Sequence, residues 1–235
     1  MKIIFYIFTI FPLKWTFFMW DAAFKAAPLT IIRLLPPFRV TKKNLTIAFP
    51  GLAEHELDLL AKESFKETLK SFYETLYTWS RSSKKIIQET KKINNRFLFN
   101  NPEQESGLII FALHNRSIDF LLRWISSQRP HTSLYKKIKL KPIDKFVKKF
   151  REEGNCKMAE TGIGGVKTIL NSLQKNQMIC MASDQVPADG LGVYSTFFGH
   201  ECYSFSLAPK LARKSNKQIL MSYLSYEKDI GHIIN

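Results

Sequence analysis

Residues 107–124 read GLIIFALHNRSIDFLLRW, and the fold turns on how that stretch is parsed. The run LIIFAL (108–113) is apolar without a break, which suits a strand covered on both faces better than one with a wet side. His114 closes the run, and Asp119 opens the apolar segment that follows. In an open α/β sheet, ligands collect beyond the carboxyl ends of the strands, so His114 stands where function concentrates. On a regular helix, residues five apart are about 140° out of phase. His114 and Asp119 therefore meet only if His114 lies in the turn before a helix and folds back onto its first turn. The carboxylate would then fix the imidazole tautomer and stabilise its protonated form while the ring removes a hydroxyl proton. The same spacing also describes a histidine that hydrogen-bonds at a helix start, with Asp119 as a first-turn acid favoured by the helix dipole.

Downstream, strands and helices alternate. Strands are expected at 108–113, more weakly at 132–137, then at QMICMASD (177–184) and KQILMSYLS (217–225). Helices are expected at 142–154, stopping at Gly154, and at 165–176 and 204–215. This alternation predicts an α/β fold with a mixed, largely parallel sheet flanked by helices. Upstream, LLPPF (34–38) and Pro50–Gly51 break any helix. Beyond them Leu57, Leu60, Ala61, Phe65, Leu69, Phe72, Tyr73 and Leu76 recur at three- and four-residue spacing, one apolar face of a long amphipathic helix. RSSKKIIQETKKINN (81–95) reads as a solvated connector or short helix, and the closing YEKDIGHIIN as a tail without obvious closure.

The N-terminus, MKIIFYIFTIFPLKWTFFMW, is the second distinctive feature. Its apolar run approaches the ~20 residues that span a bilayer, no small-residue cleavage site follows it, and its aromatic load suits an interfacial helix as well as a spanning one. The expectation is a hydrophobic membrane-anchor helix within 1–25, followed by one domain over 26–235. That domain would comprise a helical lead-in (52–95) and an α/β core (107–225). The formal charge of +15 calls for an acidic partner: nucleic acid, an anionic membrane surface or an acidic carrier protein. In YKKIKLKPIDKFVKKFR (135–151) a lysine-rich run is opposed by the single acid Asp144. Tyr135, Phe146 and Phe150 fall where helical periodicity turns them to the core, so a stacking platform for nucleic acid is not expected. Cys156, Cys180 and Cys202 are odd in number and form no C-x-x-C pair, which predicts neither disulfides nor a structural metal site.

A second polar strand end lies in ASDQVPADGLGVYSTFFGHECY (182–203). Asp184 and Gln185 end an apparent strand as His114 does. A loop with Pro187, Gly190 and Gly192 then leads to Phe197–Phe198, closed by Gly199. Two polar strand ends beside an aromatic loop suggest a cleft with an apolar lining. TGIGGVK (161–167) lacks the last glycine of G-x-G-x-x-G, and neither a phosphate-binding loop nor a G-x-S-x-G elbow occurs.

Together these segments resemble the lipid A biosynthesis acyltransferases, the late lauroyl/myristoyl-type group within the lysophospholipid acyltransferases. The resemblance runs from about Thr41 to Ser225. NLTIAFPGLAEHELDLLAKESFKETLKSFYETL looks like the family's N-terminal helical region, GLIIFALHNRSIDF like its histidine motif, and SLYKKIKLKPIDKFVKKFR like its Y-R-P-x-x-N-P-x-x-D segment. The most specific match is GGVKTILNSLQKNQMICMASDQVPADGLGVYSTFFG, in order and spacing. The resemblance implies a glycerolipid-acyltransferase-like fold at the bacterial inner membrane with the catalytic domain facing the cytoplasm. It implies transfer of a fatty acyl chain from acyl carrier protein to a hydroxyl of a phosphorylated glycolipid, a lipid A precursor. His114 would be the general base, Asp119 its partner, and Asp184 and Gln185 supports. Lys136, Lys139, Lys167, Phe197 and Phe198 would contact substrate, and no metal or organic cofactor would be needed. The motif here is HNRSID, where these enzymes usually show H-[FY]-G-N-W-E. The shape H-x4-D is nearer to the glycerophospholipid acyltransferases, which keeps a lysophospholipid or glycerol-phosphate acceptor open, although their E-G-T-R motif is replaced by Asp184–Gln185. Glu160 and Lys167 stand where arginines are common, and the chain stops where family members usually continue. A catalytically inactive membrane-surface protein is therefore a third reading.

Overall fold

The computed structural model describes residues 1–99, 107–182, 184–187 and 189–235. In chain order, helices α1 (Lys2–Phe8), α2 (Leu13–Ala26), α3 (Leu29–Ile32), α4 (Pro36–Ala48), α5 (Glu54–Ser80) and α6 (Ser83–Glu89) precede a short strand, β1 (Thr90–Ile93). The α/β core follows as β2 (Leu108–Ala112), α7 (Ile118–Gln128), β3 (His131–Tyr135), α8 (Lys141–Glu152), β4 (Cys156–Glu160), α9 (Ile163–Gln174) and β5 (Met178–Ala182). A hairpin of β6 (Gly192–Phe197) and β7 (His200–Phe205) leads to α10 (Leu207–Ser215), β8 (Gln218–Ser222), β9 (Leu224–Glu227) and β10 (Gly231–Ile234).

Strand β2 shows why the core forms. Its side chains alternate between faces: Leu108, Ile110 and Ala112 join Phe120, Trp124 and Met178 on one side, while Ile109 packs with Ile169, Ile179 and Leu211 on the other. Both faces are apolar because both are covered by helices, as the continuous run implied. The central sheet has the order β4-β3-β5-β2-β8, and every neighbouring pair is parallel. The α/β architecture with a largely parallel sheet flanked by helices is therefore present. At the start of α9 Gly165 has a local reason: a Cβ there would lie 1.8 Å from the Glu160 carbonyl oxygen. Only glycine lets the helix begin that close to the end of β4.

Several expectations are corrected. The N-terminal apolar run is two helices and not one: it breaks between α1 and α2, which are bent by 49°. No single helix among the described residues is long and apolar enough to cross a membrane, while the bent pair together has the length and composition of a broken span. Pro12 causes the break: it immediately precedes α2, and a proline ring cannot continue a helix through its own position. Leu13, Phe17 and Phe24 are buried, while Trp15, Phe18 and Met19 on the outer side are largely exposed. Pro36 and Pro37 do not merely break a helix but occupy the first turn of α4, where the missing N–H costs nothing. On α5, Leu57, Ala61 and Phe65 are buried as expected, but Leu60 and Phe72 are exposed.

The lysine-rich 81–95 stretch holds the short helix α6, one of its two expected forms, and in addition β1. The expected strand at 217–225 is two strands, β8 and β9, parted at Tyr223. The closing residues are not a loose tail: β10 pairs in parallel with β1 and antiparallel with β9, making a second, three-stranded sheet. The segment read as a loop after Gln185 contains the β6–β7 hairpin, in register from Gly192↔Phe205 to Phe197↔His200.

His131, at the start of β3, generates a test of the core. It is 4% exposed, with only a 3.4 Å contact from Nδ1 to the Arg129 carbonyl. Burial pushes its pKa down to about 4, below an unfolded value of about 6.5. The unfolded chain thus takes up the proton first. The stability tied to a neutral His131 is complete above pH ~6.5 and is lost as pH falls to about 4, a loss on the order of 3 kcal/mol. Urea midpoints measured from pH 7 to 4.5 should fall more steeply for the native chain than for His131→Leu.

Candidate functional site

Four neighbouring strands of the parallel sheet deliver polar groups beyond their carboxyl ends. His114 follows β2, Lys136 and Lys137 follow β3, Thr161 and Gly162 follow β4, and Asp184 and Gln185 follow β5. Strand β2 pairs with β5 from Ile109↔Ile179 to Ala112↔Ala182, an offset of 70 that His114 and Asp184 continue. Asp184 grips His114 twice: Oδ2 accepts the backbone N–H at 2.7 Å, and Oδ1 lies 2.9 Å from Nδ1. Burial alone would raise the Asp184 carboxyl, but the His114 amide and imidazole outweigh it and hold the pKa below the usual carboxylate range. An ionised carboxylate can only accept, so Nδ1 carries a proton, which in the neutral ring leaves the lone pair on Nε2. The Gln185 side-chain nitrogen lies 3.4 Å from that Nε2. With the ring 35% exposed, Nε2 can be reached from the cavity by a group that displaces the Gln185 amide.

His114 and Gln185 face a cavity of about 280 Å³, whose wall also includes Tyr135, Lys136, Arg151 and Cys180. Two further cavities, about 160 and 250 Å³, continue from it. Leu134 borders all three; Tyr135, Lys136 and Gln185 are shared by the first two, and Gly162, Leu191 and Phe205 by the last two. The trough becomes more apolar away from the histidine, with Val186, Pro187, Ile163 and Val166 along its sides. Cys180 is no nucleophile: burial pushes its thiol up to about 12, so the thiolate is absent at neutral pH. Among the described residues no three His, Cys, Asp or Glu side chains gather as a metal site.

Asp119 does not take the place expected for it. It is 2% exposed in the first turn of α7, and Arg151 of α8 binds both its oxygens, Nε to Oδ1 at 2.6 Å and Nη2 to Oδ2 at 3.1 Å. Ser117 caps α7 through the Phe120 N–H at 3.3 Å, so Asp119 lies within the helix's first turn, where it pairs with Arg151, while the His114 ring pairs with Asp184. Arg151 had been read only as part of a basic run; nothing in a separation of 32 residues marks it as the partner of Asp119. Of the remaining expected contacts, Lys136 lines the cavity. Lys139 and Lys167 are exposed and lie outside the cavity walls. Phe197 and Phe198 stand exposed at the tip of the hairpin, ring to ring at 4.6 Å.

A sequence model of the bacterial lipid A biosynthesis acyltransferases matches residues 8–233. The chain belongs to this family. It is also 20% identical over 193 residues to the lipid A biosynthesis lauroyltransferase of Escherichia coli (strain K12), an alignment covering 82% of this chain and 62% of that protein. The chain thus spans less than two thirds of its relative's length. Within this lipid A acyltransferase framework, His114 sits at the carboxyl end of an interior strand of the sheet with its ring held by Asp184, and Asp119 is locked to the cavity wall through Arg151.

Removing one member of that buried pair should cost more than removing both, because a lone buried charge keeps its desolvation penalty. Arg151→Met is expected to destabilise the chain by about 3 kcal/mol, and adding Asp119→Asn should recover a substantial part. Urea unfolding of the two single variants and the double variant checks the cycle.

Proposed function

We propose that the protein transfers a fatty acyl chain from acyl carrier protein to a hydroxyl of a lipid A precursor, at the cytoplasmic face of the inner membrane. The observation that carries this reading is the His114 ring, held by Asp184 with Nε2 facing the cavity. As the acceptor oxygen attacks the thioester carbonyl, Nε2 takes the hydroxyl proton. Asp184 stabilises the resulting imidazolium and keeps the tautomer fixed. The tetrahedral intermediate collapses with loss of the thiolate, which receives the proton back from the imidazolium, so the base is regenerated. Lys136 and the Gln185 amide are the donors available for the charge that develops on the carbonyl oxygen. Asp119 acts indirectly, fixing Arg151 in the wall.

The trough suits the acyl chain, since its walls lose polarity with distance from His114. Lys139 and the outward lysines of α8 suit an acidic carrier or phosphorylated head groups approaching from outside. The exposed sides of α1 and α2 suit attachment at the bilayer interface. The H-x4-D spacing favours a second reading, a lysophospholipid or glycerol-phosphate acceptor on the same machinery.

The test is mass spectrometry of lipid A from a late-acyltransferase-deficient bacterium expressing the native chain or His114→Ala, both verified in the membrane. One added acyl mass with the native chain and none with the variant is expected. With purified protein, Asp184→Asn should slow turnover by roughly 10²–10⁴-fold. Transfer to lysophosphatidic acid but not to the lipid A precursor would replace the first reading with the second. No transfer to either acceptor would leave a membrane-surface protein without activity.

A further inference from the structure

Away from the cavity, α5 buries an ionised carboxylate completely. Glu74 is 0% exposed, and its Oε1 lies 3.1 Å from Arg116 Nε and 2.6 Å from His232 Nε2. Its Oε2 accepts the Ser117 backbone N–H at 2.9 Å. Burial would raise the carboxyl, yet His232, Arg116 and the Ser117 amide outweigh it and lower its pKa. A charged cluster in this position is an expensive way to fill a core, because well-packed apolar side chains would stabilise as well or better. What distinguishes it is what it holds. Residues 115–117 are the whole turn between His114 and α7, and each is tied to a group outside the turn. Asn115 Nδ2 donates to the Leu224 carbonyl at 3.0 Å. Arg116 reaches Glu67 at 2.8 Å as well as Glu74, and its guanidinium lies 5.0 Å from the Phe17 ring centroid and 5.5 Å from that of Tyr226. Ser117 accepts from Thr75 at 2.9 Å besides giving its N–H to Glu74.

We propose that Glu74 is a positioning residue for His114: by clamping Arg116 and Ser117 it fixes the turn that sets the His114 amide and ring against Asp184. His232 completes the clamp from β10, its ring stacked on Phe120 at 4.6 Å, so the C-terminal strand supports the site without touching it. The kinetic part of this proposal rests on the acyl-transfer reading; the geometric part does not.

Glu74→Gln in the full chain tests it, since glutamine keeps the size but turns an N–H₂ group towards donors. Three readouts are needed: ring-nitrogen NMR of ¹⁵N-histidine-labelled protein at pH 8, kcat and KM for acyl transfer, and unfolding. The native chain should show His114 as a single Nδ1–H tautomer. The variant should show a mixture, with kcat lowered at least about tenfold and KM unchanged. An unaltered His114 signal and kcat, with only a lower unfolding midpoint, would overturn the proposal. If Glu74→Gln does not fold, Arg116→Lys, which keeps the charge but loses the fork, is read by the same criteria. A changed tautomer in a chain whose native form transfers no acyl group would uphold the clamp and refute the acyl-transfer reading.

Discussion

The site exists because β2 and β5 pair in parallel at one fixed offset. His114 and Asp184 are 70 residues apart, yet they are direct continuations of the register that joins Ile109 to Ile179. A slip of one residue would move the carboxylate by about 3.3 Å along the strand and turn every side chain of β2 to the opposite face. That slip is resisted by the cores on both sides, where Leu108 and Ile110 fill one cluster and Ile109 the other. Apolar burial, with no chemistry of its own, therefore sets the hydrogen bond that fixes the imidazole tautomer.

The same dependence explains which features were legible in the sequence. A strand covered on both faces writes itself as a continuous apolar run, so β2 and β5 could be read, and with them the positions of His114 and Asp184 at strand ends. The partner of His114 could not be read. Spacing along the chain made Asp119 the nearest acid, but Asp119 lies within the first turn of α7, paired with Arg151, and the acid that reaches the ring arrives across the sheet. Short strands were missed for a related reason. Lys91 and Lys92 in β1 are exposed, so β1 carries no apolar pattern of its own and is a strand only because β10 returns beside it. In β4 the exposed Lys157 and Glu160 interrupt the apolar positions. The hairpin β6–β7 packs little of itself against the core, with all but Gly192 of β6 exposed, and its aromatics read as a loop lining.

Hydropathy says least about geometry at the N-terminus, because it averages over a helix that has two different sides. Phe17 is 2% exposed and Trp15 is 67% exposed, though both count equally towards an apolar window. Helix α2 is also anchored to α5 by ion pairs, Lys70 to Asp21 at 2.6 Å and Lys66 to Asp21 at 3.1 Å. Helix α2 thus has one apolar side packed on protein and another, with Trp15, Phe18 and Met19, left exposed. This arrangement has a consequence for the site, since Phe17 on the packed side covers Arg116. Helix α2 is thus one side chain away from the turn that carries His114.

Charge is distributed in a way that keeps these roles apart. The excess of +15 does not flood the cavity. Arg151 is neutralised by Asp119 at 2.6 Å and Lys137 by Glu160 at 2.7 Å, which leaves Lys136 as the wall's cation without an acidic partner among the described residues. In the proposed acyl transfer, one uncompensated cation in the same cavity wall as His114 would serve a developing oxyanion; several would bind a phosphate or carboxylate in the ground state and hold it there, which lowers KM without raising turnover. The surplus lies outside, on the exposed Lys141, Lys145 and Lys149 of α8, whose other side buries Val147 and Phe150. There it can draw an anionic partner towards the mouth of the cavity over a Debye length of about 8–10 Å. In the proposed acyl transfer, separating long-range attraction from local charge stabilisation in this way suits a substrate that is anionic at its head and hydrocarbon along its tail.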